Sequence, residues 1–192
     1  MKTPFLILLL FVLIPALVWG QETGSIERLD AITGKKVSIG SLLKQKALVL
    51  IFHSLDCPFA KMYEGRIKSL KSTFQNQGID FVLITPDTEN DYSSQQNLKN
   101  YIDDSGVNMN YLIDEELTLV KKWEITKVPE VIVLVKGEED LEIAYRGAID
   151  NNPQAEASVS DKYLERALNQ ILKGEKPSPG QIRATGCNVK TY

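Results

Sequence analysis

The chain has 192 residues, with 22 Lys and Arg against 25 Asp and Glu for a net charge of −3, and no basic patch that would select nucleic acid or anionic lipid. Its length and 43% hydrophobic content suit one domain with a real core, and its two cysteines permit a single disulfide without requiring one.

Residues 1–20, MKTPFLILLLFVLIPALVWG, have the form of a secretory signal. Lys2 gives a positive start, Phe5 to Leu13 an apolar core, and Val18-Trp19-Gly20 a cleavage region. A retained membrane anchor is the competing reading. The span is short, Pro15 interrupts it and no basic stop-transfer residues follow, so no stable membrane insertion is expected after cleavage. Losing Lys2 takes the net charge from −3 to about −4. The mature chain is expected to be exported, periplasmic or secreted, as a domain over residues 21–174 and a tail over 175–192. Both Cys57 and Cys187 lie in the exported part, where an oxidising compartment allows a disulfide.

Ile26 to Val37 alternates around Thr33-Gly34-Lys35 and reads as a small hairpin. Ala47 to His53 is a fully buried strand, after which Ser54-Leu55-Asp56 stops the apolar run and Cys57-Pro58 opens a helical pattern. Pro58 suits a first helical turn, so Cys57 sits at or just before a helix N-terminus. Unpaired N–H groups and the positive end of the helix dipole favour a thiolate there, which is the reactive form of cysteine.

At about 100° per residue, with Cys57 as zero, Phe59, Tyr63, Ile67, Leu70 and Phe74 cluster between roughly 200° and 280°. Lys61, Glu64, Lys68 and Lys71 lie within about 40° of Cys57 on the same projection. The thiol is therefore expected on the charged side, uncovered and facing solvent. The alternative is a small buried hydrophobe, the usual state of a free cysteine. Asp56 would raise the thiol pKa and Lys61 would lower it.

Ile79 to Thr85 is a second buried strand ended by Pro86, and 87–94 is a polar loop. Gln95 to Asp103 has helical spacing, Met109 to Ile113 is a short strand and Glu115 to Trp123 a helix. Val131 to Val135 and Leu141 to Arg146 make an antiparallel pair. Ser160 to Leu172 is an amphipathic helix ending before Gly174, with Tyr163, Leu164, Ala167, Leu168 and Ile171 inward. The fold class is α/β: a mixed β-sheet flanked by helices, with an N-terminal hairpin and a C-terminal tail. In open α/β sheets reactive groups gather at the carboxyl ends of strands, where Cys57 falls.

Three stretches carry a family resemblance: FHSLDCPFAKMYEGR around Cys57, TKVPEVIVL around Pro129, and YRGAIDNNP followed by TGCNVK. On these the chain resembles the redoxin branch of the thioredoxin-like superfamily, in particular a peroxiredoxin-like group with a single CPFx cysteine and a late GC motif. The resemblance implies a thioredoxin-like fold, Cys57 as nucleophile, and Pro129 as a cis-proline that turns the Val128 backbone toward the thiol, where an incoming strand can pair.

Departures from the pattern are specific. Ala60 replaces the second cysteine of C-x-x-C, so no local disulfide forms. In the peroxidase pattern P-x-x-x-[ST]-x-x-C, Ser54 fits the hydroxyl position but Leu50 stands in the proline position. Arg66 and Arg146 are each either a stabiliser of a thiolate or bound peroxide, or an ion-pair partner. His53 is a candidate second soft ligand for Cu(I) beside Cys57, a candidate base, or a satisfied strand-end residue.

Cys187 remains. An extended tail from Gly174 could span roughly 40 to 45 Å, letting a mobile arm resolve a mixed disulfide or sulfenic acid at Cys57. The alternative is a structural disulfide that pins the tail. The resulting expectation is an exported thiol–disulfide oxidoreductase with Cys57, Cys187 and Pro129 in the catalytic machinery and Val128, Ser54 and Arg146 lining the substrate site. Its partner would be a protein or small-molecule thiol or disulfide, with no organic cofactor, no metal and no nucleic acid. The alternatives are a thiol peroxidase and a non-enzymatic, thioredoxin-fold binding or copper-carrying module.

Overall fold

A computed structural model of the chain describes residues 22–87 and 94–189. The expected signal over residues 1–20 and most of the loop over 87–94 lie outside them. Among the described residues no helix is long and apolar enough to cross a membrane.

Strands β1 (Glu27–Asp30) and β2 (Lys35–Ser38) form the expected hairpin. Its turn is organised by Asp30, a fully buried carboxylate that accepts from Ile32 N at 3.2 Å, Thr33 Oγ1 at 2.7 Å and Asn110 Nδ2 at 2.9 Å. A short helix α1 (Ile39–Leu42) follows, capped by Ser38, whose hydroxyl accepts from Ser41 N.

β3 (Ala47–Phe52) is buried along its whole length and carries the chain directly into helix α2 (Pro58–Phe74). β4 (Ile79–Thr85) lies parallel to β3, and β5 (Asn110–Ile113) parallel to β4. Between them runs helix α3 (Gln95–Ser105), capped by Ser94 and ended by Gly106 at φ +66°.

The expected helix over 115–123 is instead a 3₁₀ turn at Glu115–Leu117 followed by α4 (Thr118–Trp123). The break has a local cause. The buried carboxylate of Asp114 accepts from Leu119 N and Val120 N, both at 2.9 Å, which fixes the start of α4 and forces Glu116 and Leu117 to positive φ.

After a two-residue strand β6 (Lys127–Val128) come β7 (Glu130–Lys136), antiparallel to β3, and β8 (Leu141–Gly147), antiparallel to β7. Helix α5 (Tyr163–Leu172) buries Leu164, Ala167 and Leu168, as its spacing requires. Two short strands in the tail complete the fold. β9 (Gln181–Ile182) lies parallel to β8, and β10 (Cys187–Asn188) pairs antiparallel with β6.

The main sheet has eight strands in the order β2-β1-β5-β4-β3-β7-β8-β9, and β10-β6 is a separate two-stranded ribbon. Alternation along β3 divides the core. Val49 and Ile51 face a cluster built with α2, α3 and α5, while Leu48, Leu50 and Phe52 face one built with α1 and α4. This is the mixed, helix-flanked α/β architecture that the sequence suggests, with β3 and α2 at its centre.

Candidate functional site

Cys57 is the N-cap residue of α2, with Pro58 in the first turn and Lys61 N donating to the Cys57 carbonyl at 3.3 Å. Its sulfur is bonded to that of Cys187, 130 residues away, with the two Cα atoms 6.0 Å apart. The Val128–Pro129 peptide bond is cis, and the Val128 carbonyl oxygen lies 3.3 Å from Cys57 Sγ. In the disulfide that sulfur has no proton to donate; in the free thiol the carbonyl would be an acceptor within reach.

The cysteine is not uncovered. Cys57 is 2% exposed and belongs to the cluster containing Leu50, Phe52, Trp123, Ile125 and Val128. Wheel geometry places it away from Tyr63, Ile67, Leu70 and Phe74, but that side of the N-terminal turn packs against the second core cluster, onto which the tail is bonded through Cys187. Cys187 itself is half-buried. It is held in β10, opposite Val128, with Asn188 opposite Lys127 and Val189 N donating to Thr126 O at 3.0 Å.

The tail is also not a free arm. Arg146 N donates to Gly180 O and Ala148 N to Ile182 O, each at 3.0 Å, so the chain is anchored through β9 and only residues 183–186 separate that anchor from Cys187. Gly147 makes the anchor possible. At φ +119° its backbone passes so near Ile182 that a Cβ would lie 1.5 Å from the Ile182 carbonyl oxygen. That glycine sits in the YRGAID stretch, and its partner lies far along the chain in the tail.

His53 follows β3 on the face opposite Cys57. Its Nδ1 lies 2.7 Å from Tyr111 Oη and its Nε2 3.4 Å from Tyr101 Oη. Complete burial lowers its pKa to about 3, so the ring is neutral at physiological pH. It therefore makes neither a ligand pair nor a base for Cys57.

Ser54 Oγ donates to Asp87 Oδ2 at 2.6 Å and accepts from Asp56 N at 3.2 Å. Arg146 donates from Nη2 to Trp123 O at 2.8 Å and to Glu130 Oε1 at 3.3 Å. Both are thus engaged with protein groups other than the sulfurs. Glu130 and Trp123, which hold Arg146, were not singled out in the sequence.

Arg66 lies on the other side of α2 from the disulfide. It is buried, pairs with Asp150 at 2.6 Å, and donates to Asn152 O at 2.7 Å and Pro153 O at 2.8 Å. Tyr63 Oη donates to the second Asp150 oxygen at 2.9 Å, and the guanidinium carbon sits 3.9 Å from the Tyr63 ring centroid. The GAIDNNP stretch is accordingly the receptor for a buried arginine, and Asp150 also accepts from Asn152 N at 2.9 Å to shape its own turn.

Residues 20–148, more than half of the chain, match the AhpC/TSA family. No curated protein matches the chain. Among solved structures it is similar to an uncharacterized conserved protein from Geobacillus kaustophilus, at 24% identity over 90% of this chain and 92% of that one, with a TM-score of 0.78. A hypothetical protein from Sinorhizobium meliloti 1021 aligns at 21% identity over 90% and 94% of the two chains, with a TM-score of 0.77. A putative thiol-disulfide oxidoreductase from Bacteroides vulgatus aligns at 20% identity over 83% and 95%, with a TM-score of 0.60. At these identities the likeness establishes a thioredoxin-like fold.

Proposed function

The chain belongs to the AhpC/TSA family, and on that premise we propose that it is an exported thiol–disulfide oxidoreductase that cycles between the Cys57–Cys187 disulfide and the dithiol. The observation that carries this reading is the disulfide itself, formed between a helix N-cap cysteine at the carboxyl end of β3 and a cysteine delivered by the tail. A thiolate at that N-cap is favoured by the free N–H groups of the first turn, which makes Cys57 the nucleophile toward a partner disulfide and, where a small reductant attacks Cys187 instead, the leaving group.

When the reduced chain meets a partner disulfide, the Cys57 thiolate attacks one of its sulfurs. A Cys57–partner bond forms as the partner's S–S bond breaks, and the partner's other sulfur leaves as thiolate. Cys187 thiolate then attacks Cys57 Sγ, restoring the internal bond and releasing the partner's second thiolate, so two electrons pass from the dithiol to the partner. Val128 and the cis Pro129 bond line the sulfur on one side; Arg146 ties the end of α4 to the start of β7 through Trp123 and Glu130, and Ser54 holds the segment after β3 through Asp87. Export fits this chemistry, because a leader over residues 1–20 would deliver the pair to a compartment where disulfides persist.

The test is the dithiothreitol-driven reduction of insulin by the mature chain. Acceleration that disappears in both Cys57→Ser and Cys187→Ser supports the cycle, whereas wild-type protein no faster than dithiothreitol alone overturns it. Family membership also favours a second reading, a thiol peroxidase with Cys57 as the cysteine that peroxide oxidises. Consumption of hydrogen peroxide by the reduced protein separates the two, since an exchanger leaves peroxide untouched.

A further inference from the structure

Resting on the oxidoreductase reading, we propose that the tail strand occupies the binding site of the partner, and that the partner is an extended polypeptide segment whose cysteine directly follows a glycine. Cys57 is 2% exposed, and the sulfur that reaches it arrives on a strand paired antiparallel with β6. That pairing is made by backbone groups. Val189 N donates to Thr126 O, and Cys187 and Asn188 lie opposite Val128 and Lys127. Any extended chain can make such bonds, so they hold a strand without selecting its sequence.

The strictest steric limit comes at one position. A Cβ on Gly186 would stand 2.1 Å from the Val128 carbonyl oxygen, 2.7 Å from its carbonyl carbon and 3.2 Å from Pro129 N. These are backbone atoms of the segment that lines Cys57, and no side chain can swing away to make room. Thr185 and Asn188 are exposed; Asn188 accepts from Lys127 Nζ and Val189 packs partly against the core cluster, contacts that favour particular side chains but set no backbone obstruction like that at Gly186. A segment that brings its sulfur to Cys57 in this register therefore has no side chain immediately before its cysteine.

The tail competes with the partner for the same edge. While Cys187 is bonded to Cys57 the edge is filled; once the bond is reduced, β9 keeps the tail attached and only the chain beyond Ile182 needs to lift. A partner disulfide of the Gly-Cys kind then presents its sulfur to the Cys57 thiolate, is cleaved with departure of its second sulfur as thiolate, and is displaced when the tail strand returns and Cys187 attacks Cys57.

The test uses the full-length Cys187→Ser chain and two peptides, Thr-Gly-Cys-Asn-Val and Thr-Ala-Cys-Asn-Val, each carrying thionitrobenzoate in disulfide linkage on its cysteine. Attack by Cys57 on the peptide sulfur releases coloured thionitrobenzoate. The glycine peptide is expected to react at least about tenfold faster, the scale on which one blocked backbone approach discriminates. Equal rates, with the free reagent also reacting, overturn this inference and leave the oxidoreductase reading standing; a Cys57 inert to both peptides and to the free reagent overturns both. In the otherwise wild-type chain, Gly186→Ala is expected to make the Cys57–Cys187 bond about tenfold easier to reduce at equilibrium with dithiothreitol. Unchanged resistance in that variant also overturns the requirement for glycine.

Discussion

Of the two bonded cysteines Cys187 is the more open to solvent: the helix-cap cysteine Cys57 is 2% exposed and the tail cysteine is half-buried. An incoming thiolate is therefore expected to attack at Cys187. Exchange there also expels the better leaving group, because the Cys57 thiolate departs into the first turn of α2. With limiting glutathione and an acid quench, mass spectrometry is expected to find the glutathionyl group on Cys187 and the free thiol on Cys57. Glutathione found mainly on Cys57 would show that Cys57 is uncovered before exchange.

The same bond ties a tail to a domain across 130 residues of chain. Closing a loop of that size in the unfolded state stabilises the folded one by between about 2 and 5 kcal/mol, the upper value following from chain entropy alone. Urea unfolding of the oxidised chain, compared with the reduced chain and with Cys187→Ser, is expected to show a loss in that range, of similar size in the two. A reduced chain as stable as the oxidised one would mean that the tail is held by β9 and β10 without help from the sulfurs.

The parts legible in the sequence were those governed by local pattern. The apolar run Ile79–Thr85 before Pro86, the hairpin around Gly34 and the Cys57-Pro58 entry into a helix all follow from residues within a few positions of each other. What was not legible depends on distant partners. Two-residue strands such as β6, β9 and β10 have no periodicity to read. Asp114 breaks the 115–123 helix by capping it from outside, and the burial of Cys57 depends on Trp123, Ile125 and Val128, distant in sequence, together with the tail bonded to it. The facing of His53 was open for the same reason. The tyrosines that hold it belong to α3 and β5.

Arg66 and Asp150 provide a separate test of what the GAIDNNP loop does. Their charges are buried together, with Arg66 also satisfying two loop carbonyls. Asp150→Asn leaves the guanidinium without its counter-charge and is expected to cost about 3 to 5 kcal/mol in urea unfolding. The rate at which Cys57 reacts with a disulfide reagent in the reduced variant is expected to stay at the wild-type value at temperatures where both are folded. A large change in that rate with little loss of stability would instead assign this pair to the thiol chemistry.

His53 gives the protein a defined acid sensitivity. Burial beside Tyr111 and Tyr101 brings its pKa from 6.5 to about 3, so the folded chain refuses a proton that the unfolded chain accepts. Between those two values the unfolded state binds more protons, and stability falls as the pH drops below the ordinary histidine value. The slope contributed by this one group approaches about 1.4 kcal/mol per pH unit until the folded pKa is reached. Carboxylates add their own acid dependence, so the contribution is read by difference. Unfolding free energies of the oxidised wild-type chain and of His53→Gln, measured at several values between about pH 6 and pH 4, are expected to diverge in slope, with the variant losing less stability per unit. The absolute stability of the variant does not matter to this comparison, since Gln removes the titrating group whatever it does to packing. Parallel lines would mean that the buried ring accepts its proton in the folded state, through an opening toward Tyr101.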